Sequence, residues 1–424
     1  MTQVTTVPRT TTATVASNTT AALPGATAPE FPPVVPSRTP QLLQRLQVLI
    51  ALALLVAGAV SVWVISDLRN DLASAPNLAQ QYARLGQVQH SLTSAARLTA
   101  ESVITGEAAG GPRASDATKQ LGTAAGLLVE AARDRPEDAD QLSTLSQAVL
   151  TYSQTLAAIP GTPRATALPQ LTAADGQLDK LLSGIASLQT RLANEAASRP
   201  WSQSTPWATL ACLAMLAVVV WAAWLVAQRS HRVLNLGLAA AGAALLVLLG
   251  TTAAAQGLAA SASDASRGTQ FGHVVNTTLA VTQLDAAQRV LTTAVVTQHW
   301  DSTSVTAYTK AFQAASRAAA PEDLPSLKSF DAAKNTLADQ MTKGDWKAAA
   351  TTLLADSDKS LAGTASTFLD DASNVSASAV TDAATGPASA RAGLVADLVV
   401  AIVVALAGAA LGVLGLYQRL REYR

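Results

Sequence analysis

Four histidines, one cysteine and one carboxylate inside an apolar run are the side chains here that catalysis or metal binding would ordinarily use. His90, His231, His273 and His299 are scattered, with no metal-ligand spacing among them. Cys212 stands alone, so neither an intrachain disulfide nor a cysteine-based metal site can form. The sequence contains no phosphate-cradling GxxxxGK[ST] loop, no HExxH, no GxSxG and no kinase motif set. A non-enzymatic chain is therefore expected, with no cofactor, no metal and no nucleic-acid partner. Asp397 falls three residues into the fourth apolar run. An ionisable residue within a membrane span is a functional candidate by default, although a hydrated interfacial carboxylate would look the same. A transporter would also show broken helices and polar residues at mid-membrane. These runs show neither, and transport is disfavoured.

What remains is the chemistry of recognition. His299 and Trp300 sit at one turn of the second large polar region, and Asp345 and Trp346 at another. Asp345 reads as a helix N-cap with Trp346 in the first turn behind it. The geometry of a bundle would bring both tryptophans to one distal tip, where exposed aromatic side chains make interface anchors. Plugs for the end of their own bundle are the alternative. At the opposite end, Arg229, His231 and Arg232 of the QRSHR loop and Arg419, Arg421 and Arg424 of the closing segment are charged groups that a cytoplasmic partner could read.

Hydropathy dictates the elements that position these residues. The 424 residues are 49% hydrophobic but only 4% aromatic, and the mean hydropathy is +0.26. The apolar residues gather in four runs, 46–65, 207–226, 233–255 and 394–416. About 20 such residues cross the ~30 Å hydrocarbon layer as a helix, so a polytopic membrane protein is expected. Lys and Arg near span ends mark the cytoplasmic side. Arg9, Arg38, Arg45, Arg229, Arg232, Arg419, Arg421 and Arg424 face only Glu30 and Glu422 in the short segments, which sets both termini and the QRSHR loop on the cytoplasmic side. The expected organisation is a cytoplasmic tail (1–41) whose Thr/Pro/Ala composition cannot bury a core, then a first span (42–66) and an outer helical bundle (67–206). A second span (207–227), a cytoplasmic loop (228–232) and a third span (233–256) follow. A second outer bundle (257–392), a fourth span (393–417) and a cytoplasmic tail (418–424) complete the chain.

Both outer regions lack strand alternation and show apolar residues at i, i+3 and i+4, as in LGQVQHSLTSAARLTAESVI (85–104). Pro and Gly punctuate the first at 106–114, 134–140 and 159–165. The second breaks around 298–302, 320–325 and 342–346. Three breaks predict four helices in each region, so the fold class is an all-α membrane protein with two extracytoplasmic four-helix bundles in tandem. The halves echo one another. AARLTAESVIT and AQRVLTTAVVT share Arg97/Arg289, Val103/Val295 and Thr105/Thr297; PED recurs at 136–138 and 321–323; KLLSGIAS (180–187) resembles KSLAGTAS (359–366). The offsets of 192, 185 and 179 residues fall in order along the chain, as an internal duplication with small gaps would leave.

The layout resembles chemoreceptor-type four-helix-bundle sensors, doubled and without their cytoplasmic coiled coil. With its Thr/Pro-rich start, two outer helical regions and basic inner ends, it looks like the GlnX-type membrane sensors of actinobacteria over residues 42–424. That resemblance implies a relay in amino-acid nutrient sensing, in which a periplasmic glutamine/glutamate-type solute-binding lipoprotein docks outside and a cytoplasmic serine/threonine protein kinase receives the signal. A structural scaffold of the envelope is the alternative, and a transporter-associated subunit a more distant one. The two halves could pack as an intrachain pseudo-dimer or pair with a second copy as a homodimer.

Overall fold

The computed structural model describes residues 39–198, 204–230, 236–319, 324–355, 357 and 360–422, and every regular element among them is helical. In chain order these are α1 (Thr39–Thr105), α2 (Pro112–Asp134), α3 (Ala139–Ala157), α4 (Arg164–Ser198) and α5 (Ser204–Ser230). They continue as α6 (Leu236–Ser263), α7 (Phe271–Thr297), α8 (Ser302–Ala318), α9 (Leu324–Thr342), α10 (Trp346–Leu353) and α11 (Leu361–Glu422). A 3-10 turn at Pro136–Asp138 joins α2 to α3, and a π-helical turn at Asp264–Gln270 joins α6 to α7. Four helical stretches are long and apolar enough to cross a membrane.

Three of those stretches do not stop where the apolar run ends. α1 is a single helix of 67 residues, about 100 Å at 1.5 Å per residue. α6 and α7 run on through the π turn, and α11 has 62 residues. Each carries one weak point beyond its apolar stretch: Pro76 in α1, the π turn before α7, and Pro387 in α11. A proline inside a helix removes one backbone bond and crowds the preceding turn, and a π turn misaligns the ladder locally.

Helix ends follow local chemistry. Pro112 opens α2, where its missing N–H costs nothing. Asp301 and Asp345 cap α8 and α10 by accepting from the N–H groups of Ser304 and Ala348, at 2.9 and 3.0 Å. The first large polar region breaks at the three expected places. The second has a further break that the sequence does not announce, because α10 lasts only eight residues and α11 begins afresh at Leu361. Ser360 caps the new helix, its hydroxyl accepting the Gly363 N–H at 3.0 Å. The break expected at 320–325, with the second PED, lies largely outside the described residues.

Three apolar clusters hold the helices together. Leu54, Ala57, Ile65 and Leu68 of α1 meet Ala222 of α5, Ala241 and Leu248 of α6, and Leu394 and Ala401 of α11. In that cluster a Cβ on Gly58 would stand 2.5 Å from the Ala405 Cβ, and one on Gly408 2.5 Å from the Ala244 Cβ. Small residues there let the helix backbones approach closely. A second cluster fills the space among α1, α2, α3 and α4, including Leu92, Leu128, Leu142, Tyr152 and Ile185. A third joins Leu284 and Leu291 of α7 to Tyr308, Phe330, Leu337, Leu353 and Phe368. Phe271 and Val274 of α7 and Ala379 and Ala383 of α11 belong to the second cluster, so the two large polar regions share a core.

Candidate functional site

Where α1 crosses α7, polar side chains occupy positions that periodicity assigns to a core. His90 Nδ1 lies 2.8 Å from a carboxylate oxygen of Asp285, whose side chain is 6% exposed. Burial pulls the His90 imidazole down, but the charge and hydrogen bond of Asp285 outweigh it and hold the pKa above the ordinary histidine value. Gln89 of α1 and Gln288 and Thr292 of α7 are buried nearby in sequence. Close approach is possible because position 86 is glycine, where a Cβ would meet the Thr278 Cγ2 at 2.4 Å. Tyr82 and Phe271 pack edge to face, their centroids 5.5 Å apart.

The seam continues away from the apolar spans. Arg289 of α7 reaches Asp175 (3.3 Å) and Asp179 (2.7 Å) of α4. At the start of α4, Arg164 donates to the carbonyl of Val296 at 2.5 Å, in the last turn of α7. The ends of both polar regions far from the apolar stretches therefore lie at one level. The first region's own distal turns also meet, since Gly161, in the left-handed conformation (φ +81°), sits where a Cβ would stand 3.1 Å from the Ala109 amide nitrogen. An open cleft of ≈ 580 Å³ is bordered by α1, α2, α7 and α11; His90, Arg84, Glu130 and Asp370 line it.

A smaller cavity lies between α1, α3, α4 and α7, lined by Arg97, Tyr152, Asp175, Arg289 and Thr292 among others. The Tyr152 and Thr292 hydroxyls are buried and have no hydrogen-bond partner among the described residues. Orphaned polar groups of this kind cost about 1–3 kcal/mol each. Burial raises the Asp175 carboxyl pKa against the opposing pull of Arg289, and it raises that of the Tyr152 phenol.

The residues expected to matter from sequence are placed as follows. Trp300 and Trp346 are half-buried and both pack against the third apolar cluster. Asp345 is the N-cap of α10 and is exposed. His299 is exposed, its Nε2 3.4 Å from Asp301. Cap hydrogen bonds from the Ser304 N–H and hydroxyl, with His299 contributing, hold the Asp301 carboxyl down to about 2. Arg229 falls in α5, Arg419 and Arg421 fall in α11 with Arg421 exposed, and Asp397 is half-buried on α11. His231, Arg232 and Arg424 lie outside the described residues. The first PED turn is held by ion pairs that tie α4 to it, because Arg135 binds Glu137 and Glu195, each at 2.8 Å, and Arg191 pairs with Asp138. No group of three potential metal ligands occurs among the described residues.

Sequence reasoning misses the seam. By spacing alone His90 is one of four scattered histidines, and Arg97 and Arg289 are only marks of repetition. A signal is present, since GQVQHS sets Gln89 and His90 among residues whose spacing should be apolar. Its partner Asp285, 195 residues away, carries no local mark. No protein-family model, curated protein or solved structure matches the chain.

Proposed function

We propose that the chain is a non-enzymatic transmembrane signal relay of the bacterial plasma membrane, with both termini and the 228–232 loop in the cytoplasm. One observation carries this reading: three apolar spans continue as packed helices into the outer regions, where α1 and α7 interlock through a buried ionic pair. A displacement applied outside can travel along such rods to their inner ends, as sliding of packed helices does in known switches. The two outer regions are a tandem pair of four-helix bundles born of duplication and packed as an intrachain pseudo-dimer. The likeness of α1–α4 to α7–α9 followed by an interrupted fourth helix (α10 and α11), the level distal ends and the paired weak points at Pro76 and 264–270 support that view.

In this relay an amino-acid signal arrives outside, carried by a solute-binding lipoprotein of the glutamine/glutamate type that docks around His299, Trp300, Asp345 and Trp346. A serine/threonine protein kinase reads the arginine-rich inner segments around Arg229, His231 and Arg232 and around Arg419, Arg421 and Arg424. Co-purification from native membranes tests both ends. The expected result is one binding protein and one kinase, the former lost from Trp300→Ala/Trp346→Ala and the latter from Arg229→Ala/Arg232→Ala. Retention of both partners by both variants refutes the docking scheme.

A further inference from the structure

Two of the apolar clusters follow one another along the long helices without overlapping. The cluster of the apolar stretches takes buried residues of α1 up to Leu72, of α6 up to Ala259 and of α11 from Ala390 onward. The next takes α1 from Leu78, α7 from Phe271 and α11 up to Ala383. Between them, 73–77, 260–270 and 384–389 contribute no buried apolar side chain among the described residues. On the remaining passage α4, in the one cluster, ends at Ser198, and α5, in the other, begins at Ser204.

The weak points of the helices fall in the same gap, and contacts within the apolar cluster fix their register. Gly58 of α1 abuts Ala405 of the antiparallel α11. Eighteen residues on from Gly58 stands Pro76, and 18 residues before Ala405 stands Pro387. Thr252 of α6, which runs parallel to α1, donates to the Ser61 hydroxyl at 3.0 Å. Fifteen residues on from Ser61 is again Pro76, and 15 on from Thr252 is position 267, the middle of the π turn. Equal residue counts along helices are equal heights, so all three weak points share one level. There Pro76 cannot bond the Leu72 carbonyl, nor Pro387 that of Ala383. The coincidence matters because close packing resists the bending of one helix alone. Here three can bend together, where no apolar core locks them.

We propose that this level is a hinge, at which the polar helical body tilts as one piece on the apolar body. Each body is braced within itself, the polar one by His90–Asp285 and Arg289–Asp179, the apolar one by the close contacts at Gly58 and Gly408. A tilt of about 10° would swing Thr105, 29 residues or about 44 Å beyond Pro76, through about 8 Å. The inference deepens the relay reading: the hinge stands on packing, and its part in signalling rests on the relay.

The test is distance measurement between spin labels on the full chain, carrying Cys212→Ser, in lipid nanodiscs. Labels at 105 and 207 straddle the level, whereas labels at 105 and 133 both lie on the polar body. The 105–207 distribution should be the broader. Pro76→Ala and Pro387→Ala restore the missing helical bonds, and deletion of Gly268 returns the π turn towards α-helical spacing. Together they should narrow the 105–207 distribution to the 105–133 width. The two proline changes alone should narrow it part of the way, and they decide the matter where the deletion prevents folding. Equal widths with both prolines present, or no narrowing in folded variants, overturns the hinge. A broad 105–207 distribution, with distances between the inner ends indifferent to a wedge at Gly86→Leu, would sink the relay and keep the hinge. Responsive inner ends with a rigid level would do the reverse.

Discussion

The His90–Asp285 pair yields the sharpest quantitative expectation. It joins α1 to α7 at 2.8 Å, with the carboxylate 6% and the imidazole 29% exposed. A hydrogen bond to a charged group is worth about 1.5–3 kcal/mol net, and a neutral one about half that. The imidazole's pKa is raised in the folded chain. Its contribution is therefore complete below the unfolded value of about 6.5 and fades as pH rises through the folded value. A double-mutant cycle of His90→Ala and Asp285→Ala, read by thermal unfolding of the full chain, should give a coupling of about 1.5–3 kcal/mol at pH 5.5. At pH 9 the coupling should fall to about half. At roughly 2–4 °C per kcal/mol the difference is measurable. A coupling below about 0.3 kcal/mol, within the error of additivity, or one that grows with pH, refutes the ionic account of the seam.

Other expectations follow from packing and caps. Gly86→Ala should destabilise by about 1–3 kcal/mol through overpacking against Thr278, and Thr278→Ala should restore much of the loss when combined with it; thermal melts of the four proteins decide. Gly58→Ala should likewise loosen the contact between α1 and α11, with Ala405→Gly as the compensating change, read by melting in detergent. Asp345→Ala should cost about 1 kcal/mol by removing the α10 cap, and faster amide exchange over 346–353 would register it. Gln298 ends α7 in the left-handed conformation (φ 53°), so Gln298→Gly should stabilise by about 1 kcal/mol, visible as a raised melting temperature.

The helices and their membrane-spanning segments are legible because composition and period speak locally. A run such as Leu46–Ile65 needs no knowledge of its neighbours, and Pro112 or Asp345 marks a helix start within a few residues. The unannounced break before Leu361 is instructive, because the capping serine is present in the sequence but lies amid other short polar residues. The seam is legible on its α1 side alone, where GQVQHS breaks the apolar spacing, and nothing marks Asp285 as the partner. Whether a histidine on an amphipathic helix faces water or a buried aspartate depends on which helix packs there. That is fixed by the crossing of segments nearly 200 residues apart, for which Gly86 is a condition but not a signpost.

The central claim is that an outer displacement reaches the inner ends of the rods. Spin labels at positions 44 and 417, in a Cys212→Ser background, report the distance between the ends of α1 and α11 in lipid nanodiscs. Gly86→Leu drives a wedge into the seam 42 residues from the first label, about 60 Å along the helix. The relay predicts that the wedge shifts the distance distribution between the labels. Superimposable distributions with and without the wedge, from protein that still melts cooperatively, would contradict it and favour a static scaffold.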